Sequence, residues 1–187
     1  NHSAINKKVQ CLRTHGITKD LDQLESNDGP WYYEIHEVGY NYRITDFQCA
    51  LGSSQLEKLD KFAERRREIA SIYDEAFSTV DFIKKPQSHS SIDHAYHLYP
   101  LQIDFGKLAL TKSKLFEEMK KIGINLQVHY IPIHIQPFYQ KKYGLKPGDF
   151  PVSESFYKNE VSLPIYPDLS TNDESLVVNN LLEYLSA

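Results

Sequence analysis

The sequence predicts an α/β chain in which a long helical region leads into a small α+β unit, a three-stranded sheet with helices on one face. Leu56, Leu59, Ala63, Arg66, Ala70, Tyr73 and Phe77 recur at intervals of three and four, the period of an amphipathic helix. Beyond residue 95 the segments alternate as strand, helix, strand, short helix, strand, helix, a pattern that layers helices on a sheet. Hydrophobic residues make up 41% and charged residues 25% of the 187. These are ordinary globular values, and a chain of this length can bury a core, with room for a small second unit.

Taken in order, residues 3–15 read as a helix: Ser3 is placed to cap it, Ile5, Val9 and Leu12 share a face, and Gly16 suits the position after its end. Residues 17–38 lack sustained periodicity. Asn27-Asp28-Gly29-Pro30 marks a turn, and residues 31–35 form a short strand after it. An aromatic stretch such as Trp31-Tyr32-Tyr33 is costly to leave in water and is expected to be covered by another surface. Thr45 followed at three residues by Gln48 is a capping box that starts the long helical region, which runs to Phe77 with a break near Asp60. Gly52 weakens it by about 1 kcal/mol relative to alanine unless something packs closely there. Arg65-Arg66-Arg67 reads as a solvated face, with Arg66 on the apolar stripe and open to pairing.

Residues 84–95 form a loop and a boundary. Strand 96–103, helix 113–122 closed by Gly123, strand 124–131, a Tyr/Pro-rich loop, helix 152–159 and strand 161–165 follow. Thr171 and Glu174 form a second capping box, which opens a last helix with Val178, Leu181, Leu182 and Leu185 inward.

The net charge of −4 is spread along the chain. It offers no basic stripe for nucleic acid and no acidic tail. No apolar run approaches the ~20 residues a membrane span requires. Cys11 and Cys49 lie far apart without zinc spacing, which points to structural thiols in a reducing compartment, the cytoplasm. Cys49, in the turn Phe47-Gln48-Cys49-Ala50, is expected to be buried. The chain opens without Met inside a polar, helix-like segment, and is expected to be part of something longer.

Two stretches could carry chemistry. In Gly39-Tyr40-Asn41-Tyr42-Arg43-Ile44-Thr45-Asp46-Phe47-Gln48, Asn41 and Arg43 stand just before a helix N-terminus, where free N–H groups and the helix dipole favour anions. A carboxamide and a guanidinium suit phosphate or carboxylate, although both residue types also serve as turn and ion-pair residues. In Gln127-Val128-His129-Tyr130-Ile131-Pro132-Ile133-His134, a strand would turn Gln127, His129 and Ile131 to one side and Val128 and Tyr130 to the other. That is either a polar ligand edge or a locally satisfied strand end. His94, His97, His129 and His134 lack the carboxylate or cysteine partners of a metal set, and 94 and 97 would face opposite ways. Phosphate-loop glycines, a G-x-S-x-G elbow and H-E-x-x-H are absent, so no self-contained catalytic centre is predicted.

With these residues in hand the sequence resembles the DegT/DnrJ/EryC1/StrS sugar aminotransferases. The resemblance is carried by Leu12-Arg13-Thr14-His15-Gly16, by Gly39-Tyr40-Asn41-Tyr42-Arg43-Ile44-Thr45-Asp46, by Ala50-Leu51-Gly52, Gln55-Leu56, Arg66 and Tyr73, by His97-Leu98-Tyr99-Pro100, by the block 127–134, and by Ser162-Leu163-Pro164-Ile165-Tyr166-Pro167. The downstream blocks are most similar to the branch acting in the pseudaminic acid pathway, which makes a UDP-4-amino-4,6-dideoxy sugar. The resemblance implies the fold of type I pyridoxal 5′-phosphate enzymes, of which this chain would be the C-terminal part: residues 1–44 the end of the large domain with an interface loop, 45–83 the connecting helical region, 84–187 the small α+β domain. It implies that Asn41 and Arg43 contact the cofactor phosphate, and that Asn41 also reaches the nucleotide-sugar across a homodimer interface. Gln127, Val128, His129 and Tyr130 would line the substrate pocket. A UDP-sugar would be the substrate and glutamate the amino donor. The family's cofactor-binding lysine lies upstream of the segment matching Asn1, so this chain alone is expected to be inactive. Some relatives carry histidine there and act as dehydratases. A non-catalytic sugar-nucleotide-binding or regulatory module is the alternative from a different class, since fold alone does not fix function.

Overall fold

The computed structural model describes residues 2–89 and 91–186. It divides into two units, Asn1–Glu57 and Lys58–Ala187.

In the first unit, α1 (Ser3–Leu12) is followed by β1 (Ile17–Thr18) and β2 (Glu34–Ile35), which pair antiparallel with Ile17 opposite Ile35. The N-cap of α1 is His2, which makes no side-chain cap, so Ser3 lies one residue inside the helix instead of capping it. The strand expected over 31–35 shrinks to its last two residues because the chain before it is held as a loop. There Glu34 accepts the backbone N–H groups of Glu25 and Ser26, at 2.9–3.0 Å, and the Tyr32 hydroxyl. α2 (Asp46–Leu56) starts at the expected capping box: Thr45 Oγ1 accepts from Gln48 N, and Gln48 Oε1 accepts from Thr45 N at 3.0 Å. No residue of α1 or α2 is buried. Cys49 is exposed, contrary to expectation, and no atom lies within 4 Å of a Cβ built on Gly52. Trp31, Tyr42, Phe47 and Leu56 all remain 70% or more exposed.

In the second unit, α3 (Leu59–Ala76) begins after Lys58, close to the expected break. β3 (Ile83–Lys84), β4 (Tyr99–Ile103) and β5 (Glu160–Leu163) form an antiparallel sheet in the order β3-β4-β5. Three strands were expected, but one of them is different. Residues 124–131 make a single rung on the edge of β5, with Gln127 and Ser162 exchanging backbone hydrogen bonds of 3.2 and 2.9 Å, and β3 supplies the third strand instead. The rung does not extend, because the next inward N–H, that of His129, goes to the Glu160 carboxylate rather than to a strand carbonyl. The chain then runs into Pro132.

α4 (Lys112–Lys121) is capped by Thr111 Oγ1. α5 (Pro137–Tyr143) lies where a loop was expected, started by a proline in its first turn and ended by Gly144 at φ 70°. α6 (Pro151–Asn159) and α7 (Thr171–Ser186) complete the unit. The cap of α7 falls one residue earlier than read: Ser170 Oγ accepts from Asp173 N at 3.1 Å and donates to its carboxylate. That frees Glu174 to turn inward.

Alternation along the strands sorts the two faces of the sheet. Tyr99, Leu101 and Ile103 of β4 and Val161 and Leu163 of β5 meet Ile69, Tyr73 and Phe77 of α3, Leu115 and Met119 of α4, and Leu181 and Leu185 of α7. Burying each such side chain stabilises the unit by about 1.5–3 kcal/mol. Apart from Pro100, the alternate residues of β4 and β5 are polar: Gln102, Glu160 and Ser162. Gln102 lines a cleft on that side with Ser155 and Asn159 of α6, so the helices are not confined to one face. The arginine run is also not a solvated face: Arg65 pairs with Glu174, Arg66 donates to the carbonyls of Tyr96 and His97, and Arg67 pairs with Asp93.

Candidate functional site

Asn41 and Arg43 belong to the first unit. Residues 39–42 lie along the end of α1: Tyr40 N donates to Leu12 O at 2.6 Å, His15 N to Tyr40 O at 2.8 Å, and Tyr42 N to Arg13 O at 2.9 Å. Two glycines permit this approach. A Cβ on Gly39 would stand 2.1 Å from Gly16 N, and one on Gly16, at φ +75°, would stand 1.9 Å from Glu37 O. Extended backbone sends alternate side chains to opposite sides. Tyr40 and Tyr42, either side of Asn41, stack with ring centroids 4.8 Å apart. Asn41 and Arg43 are exposed, and among the described residues neither side chain has a hydrogen-bond or ion-pair partner. Four residues after Asn41 the α2 capping box uses the amides of Thr45 and Gln48. The N–H groups of Asp46 and Phe47 remain outside the helix ladder. The Asp46 carboxylate occupies the same first turn and already complements the dipole, which leaves the Asn41 amide and the Arg43 fork as the side-chain donors open here.

Residues 127–130 belong to the second unit and surround a buried polar network. Glu160 is fully buried and Ser162 is 3% exposed. One Glu160 oxygen accepts the His129 N–H at 3.0 Å, and the other takes the Ser162 hydroxyl in a short hydrogen bond. Ser162 Oγ lies 2.8 Å from His129 Nδ1. The His129–Tyr130 peptide is cis, and the two rings meet edge to face at 4.7 Å. Gln127 and Tyr130 are exposed, His129 half-buried. Val128 faces a cleft of about 420 Å³ lined by Lys112, Ser113, Phe116, Tyr157 and Lys158. Lys112 donates to Tyr157 O at 2.7 Å and sits over the Tyr157 ring. Burial pulls its ammonium below the ordinary lysine value, and the charge of Glu160 opposes that shift.

Sequence reasoning found His129 but missed Glu160, Ser162 and Lys112. The signal was present in Glu160-Val161-Ser162-Leu163, where polar and apolar residues alternate on a strand buried along its whole length.

His134 is also buried. Its Nε2 meets Glu154 Oε1 at 2.8 Å, and the same oxygen accepts Gly148 N at 2.7 Å, which ties the 144–150 loop down. His94 is occupied locally, accepting from Tyr96 N. Among the described residues no three His, Cys, Asp or Glu are grouped to hold a metal ion, and no helix is long and apolar enough to cross a membrane.

Comparison with known proteins adds five findings. The DegT/DnrJ/EryC1/StrS aminotransferase family model matches residues 1–182. The chain is 41% identical over 172 residues to the spore coat polysaccharide biosynthesis protein SpsC of Bacillus subtilis, covering 91% of this chain and 44% of that one. It is 35% identical over 188 residues to a UDP-4-amino-4,6-dideoxy-N-acetyl-beta-L-altrosamine transaminase of Campylobacter jejuni, covering 99% and 46%. Among solved structures it superposes on Helicobacter pylori PseC, an aminotransferase of pseudaminic acid biosynthesis, with a TM-score of 0.79 at 28% identity, over 100% of this chain and 47% of that one. On the PLP form of Spr1654 from Streptococcus pneumoniae the TM-score is 0.80 at 26% identity, over 98% and 44%. The chain thus spans less than half the length of each of these relatives.

Proposed function

Because the chain belongs to the DegT/DnrJ/EryC1/StrS aminotransferase family, we propose that it is the C-terminal part of a homodimeric, pyridoxal-phosphate-dependent aminotransferase. The enzyme moves an amino group from glutamate to the 4-keto carbon of a UDP-linked 4-keto-6-deoxy sugar in the cytoplasm. The observation that carries this reading is the pair Asn41 and Arg43, two unengaged donors two residues apart before a capped helix, in a chain whose relatives include a transaminase named for a UDP-amino sugar.

The donor set suits a phosphate: a carboxamide N–H and a planar guanidinium fork. Pyridoxal phosphate, when bound, supplies the electron sink for moving the amino group. This chain's own residues would bind and orient. Asn41 and Arg43 would hold phosphate oxygens. Gln127 and Tyr130 would offer an amide and a hydroxyl to the sugar nucleotide, Val128 an apolar wall, and His129 a ring nitrogen at a fixed position. The open apolar surface of the first unit, including Trp31, Tyr42 and Phe47, supports a dimer in which Asn41 serves the partner's site.

The test uses the protein expressed with its flanking coding sequence, incubated with pyridoxal phosphate, glutamate and a UDP-4-keto-6-deoxy-N-acetylhexosamine. Mass spectrometry should find the 4-amino sugar and an equal amount of 2-oxoglutarate. A dehydrated sugar would point to the dehydratase reading. A visible spectrum with no bound cofactor, and unchanged keto sugar, would leave a non-catalytic binding module.

A further inference from the structure

We infer that Glu160, acting through Ser162, locks His129 in the tautomer that carries its proton on Nδ1, so that Nε2 meets the ligand as a hydrogen-bond acceptor. Glu160 and Ser162 are therefore positioning residues for His129. The ligand half of this inference rests on the reading that residues 127–130 line the substrate pocket; the tautomer half does not.

The argument follows from counting protons. Glu160 is wholly buried, receives the His129 N–H on Oε2, and has the Lys112 ammonium as its neighbouring cation. As a carboxylate, Glu160 has no proton to give and can only accept. The one hydroxyl proton of Ser162 must then point at Glu160 Oε1. With that proton committed, Ser162 Oγ can only accept across the 2.8 Å contact to His129, so Nδ1 must carry a hydrogen. In the neutral ring this leaves Nε2 unprotonated. Among the described residues Nε2 has no partner, and its lone pair is available to a hydroxyl or N–H of the sugar nucleotide.

An isosteric change reverses the chain. In Glu160→Gln the carboxamide oxygen stays on the His129 N–H, and its NH₂ turns to Ser162 Oγ. The Ser162 hydroxyl then donates to His129 Nδ1, and the ring proton moves to Nε2. Ser162→Ala removes the relay, leaving Nδ1 without a partner and the tautomer unlocked.

The experiment records long-range nitrogen–proton correlation spectra of the full-length protein labelled with nitrogen-15 histidine, with His129→Gln assigning the resonance. The expected spectrum shows Nδ1 at the pyrrole-like shift and Nε2 at the pyridine-like shift. The two exchange places in Glu160→Gln and move towards an average in Ser162→Ala. Adding UDP-N-acetylglucosamine should then shift wild-type Nε2 while Nδ1 stays. A wild-type Nε2–H tautomer, or spectra alike in wild type and both variants, overturns the inference whatever the substrate. The expected tautomer with Nε2 unmoved by the UDP-sugar overturns the ligand half and, with it, the pocket reading of residues 127–130.

Discussion

Arg65 of α3 reaches across the second unit to Glu174 of α7, donating through Nη2 to a carboxylate that is 2% exposed and, at 2.9 Å, to the carbonyl of Leu169. The contact fixes the start of α7 against α3. It exists because the α7 cap sits at Ser170, so that Glu174 faces inward. Removing one partner of a buried pair leaves an uncompensated charge, at a cost of about 3–5 kcal/mol. Arg65→Leu should lower the unfolding free energy by about that amount, seen as a lower urea midpoint with an unchanged slope. The double variant Arg65→Leu with Glu174→Leu should recover most of the loss. A single variant within about 1 kcal/mol of wild type would show that the pair does not hold the helices.

Gly39 fits against Gly16 only because neither has a side chain. Gly39→Ala would force its Cβ into the Gly16 backbone. Overpacking of this kind costs about 1–3 kcal/mol. The expected outcome is loss of the Tyr40-to-Leu12 and Tyr42-to-Arg13 hydrogen bonds, seen as faster amide exchange at residues 40 and 42, together with weaker cofactor binding in the full-length enzyme. Gly52→Ala, with open space around it, should instead stabilise α2 by about 0.5–1 kcal/mol in this chain.

Asn41→Ala in the full-length protein should weaken binding of pyridoxal phosphate or of the UDP-sugar. The loss of one hydrogen bond to a charged group is about 1.5–3 kcal/mol, roughly ten- to a hundredfold. Mixed dimers pairing an Asn41→Ala subunit with a subunit dead at the cofactor lysine would separate a role in the partner's site from a role in the subunit's own. Unchanged affinities and Michaelis constants would remove Asn41 from the site.

The loop of the first unit should respond to acid. The Glu25 amide, then the His36 ring, the Ser26 amide and the Tyr32 hydroxyl, hold the Glu34 carboxyl at about 2 against an ordinary 4.5. A lowered folded value means that the stabilisation is complete above 4.5 and disappears as pH falls towards about 2. Amide exchange at Glu25 and Ser26 should therefore quicken across that interval, and Glu34→Gln should flatten the dependence.

Two tyrosines should report on the core in alkali. Burial, followed by the nearby Glu174 charge, raises the Tyr73 hydroxyl; burial, followed by the hydrogen bond to Asp74, raises Tyr99. Tyr73 donates to Pro164 O at 2.8 Å and Tyr99 to Asp74 Oδ1 at 2.7 Å. Their neutral forms stabilise the fold below the ordinary 10.0, and that support is lost as pH rises beyond it. Titration followed by tyrosinate absorbance should show these two ionising only on unfolding. Tyr99→Phe should cost more than Tyr73→Phe, about 1.5–3 against about 1 kcal/mol, because its acceptor is charged.

The sequence by itself determined the longer helices, though not α5, and the inward face of α3 from Ala70 on. The 3.6-residue stripe that places Ala70, Tyr73 and Phe77 inward, the Thr45–Gln48 capping box and the alternation of β4 are local patterns, and the structure repeats them. The place of Asn41 and Arg43 before α2 was legible for the same reason. Tertiary structure decided what depends on distant partners. Residues 124–131 have strand composition, yet they make one rung, because a carboxylate thirty-one residues away takes the N–H of His129. The arginine run looks solvated in sequence but finds Glu174, the Tyr96 and His97 carbonyls and Asp93. Glu160 became the centre of a buried network because β5 is covered on both faces and Lys112 approaches it from α4, a juxtaposition that no local spacing encodes. A propensity is summed over neighbours in the chain, whereas a buried charge is satisfied by neighbours in space.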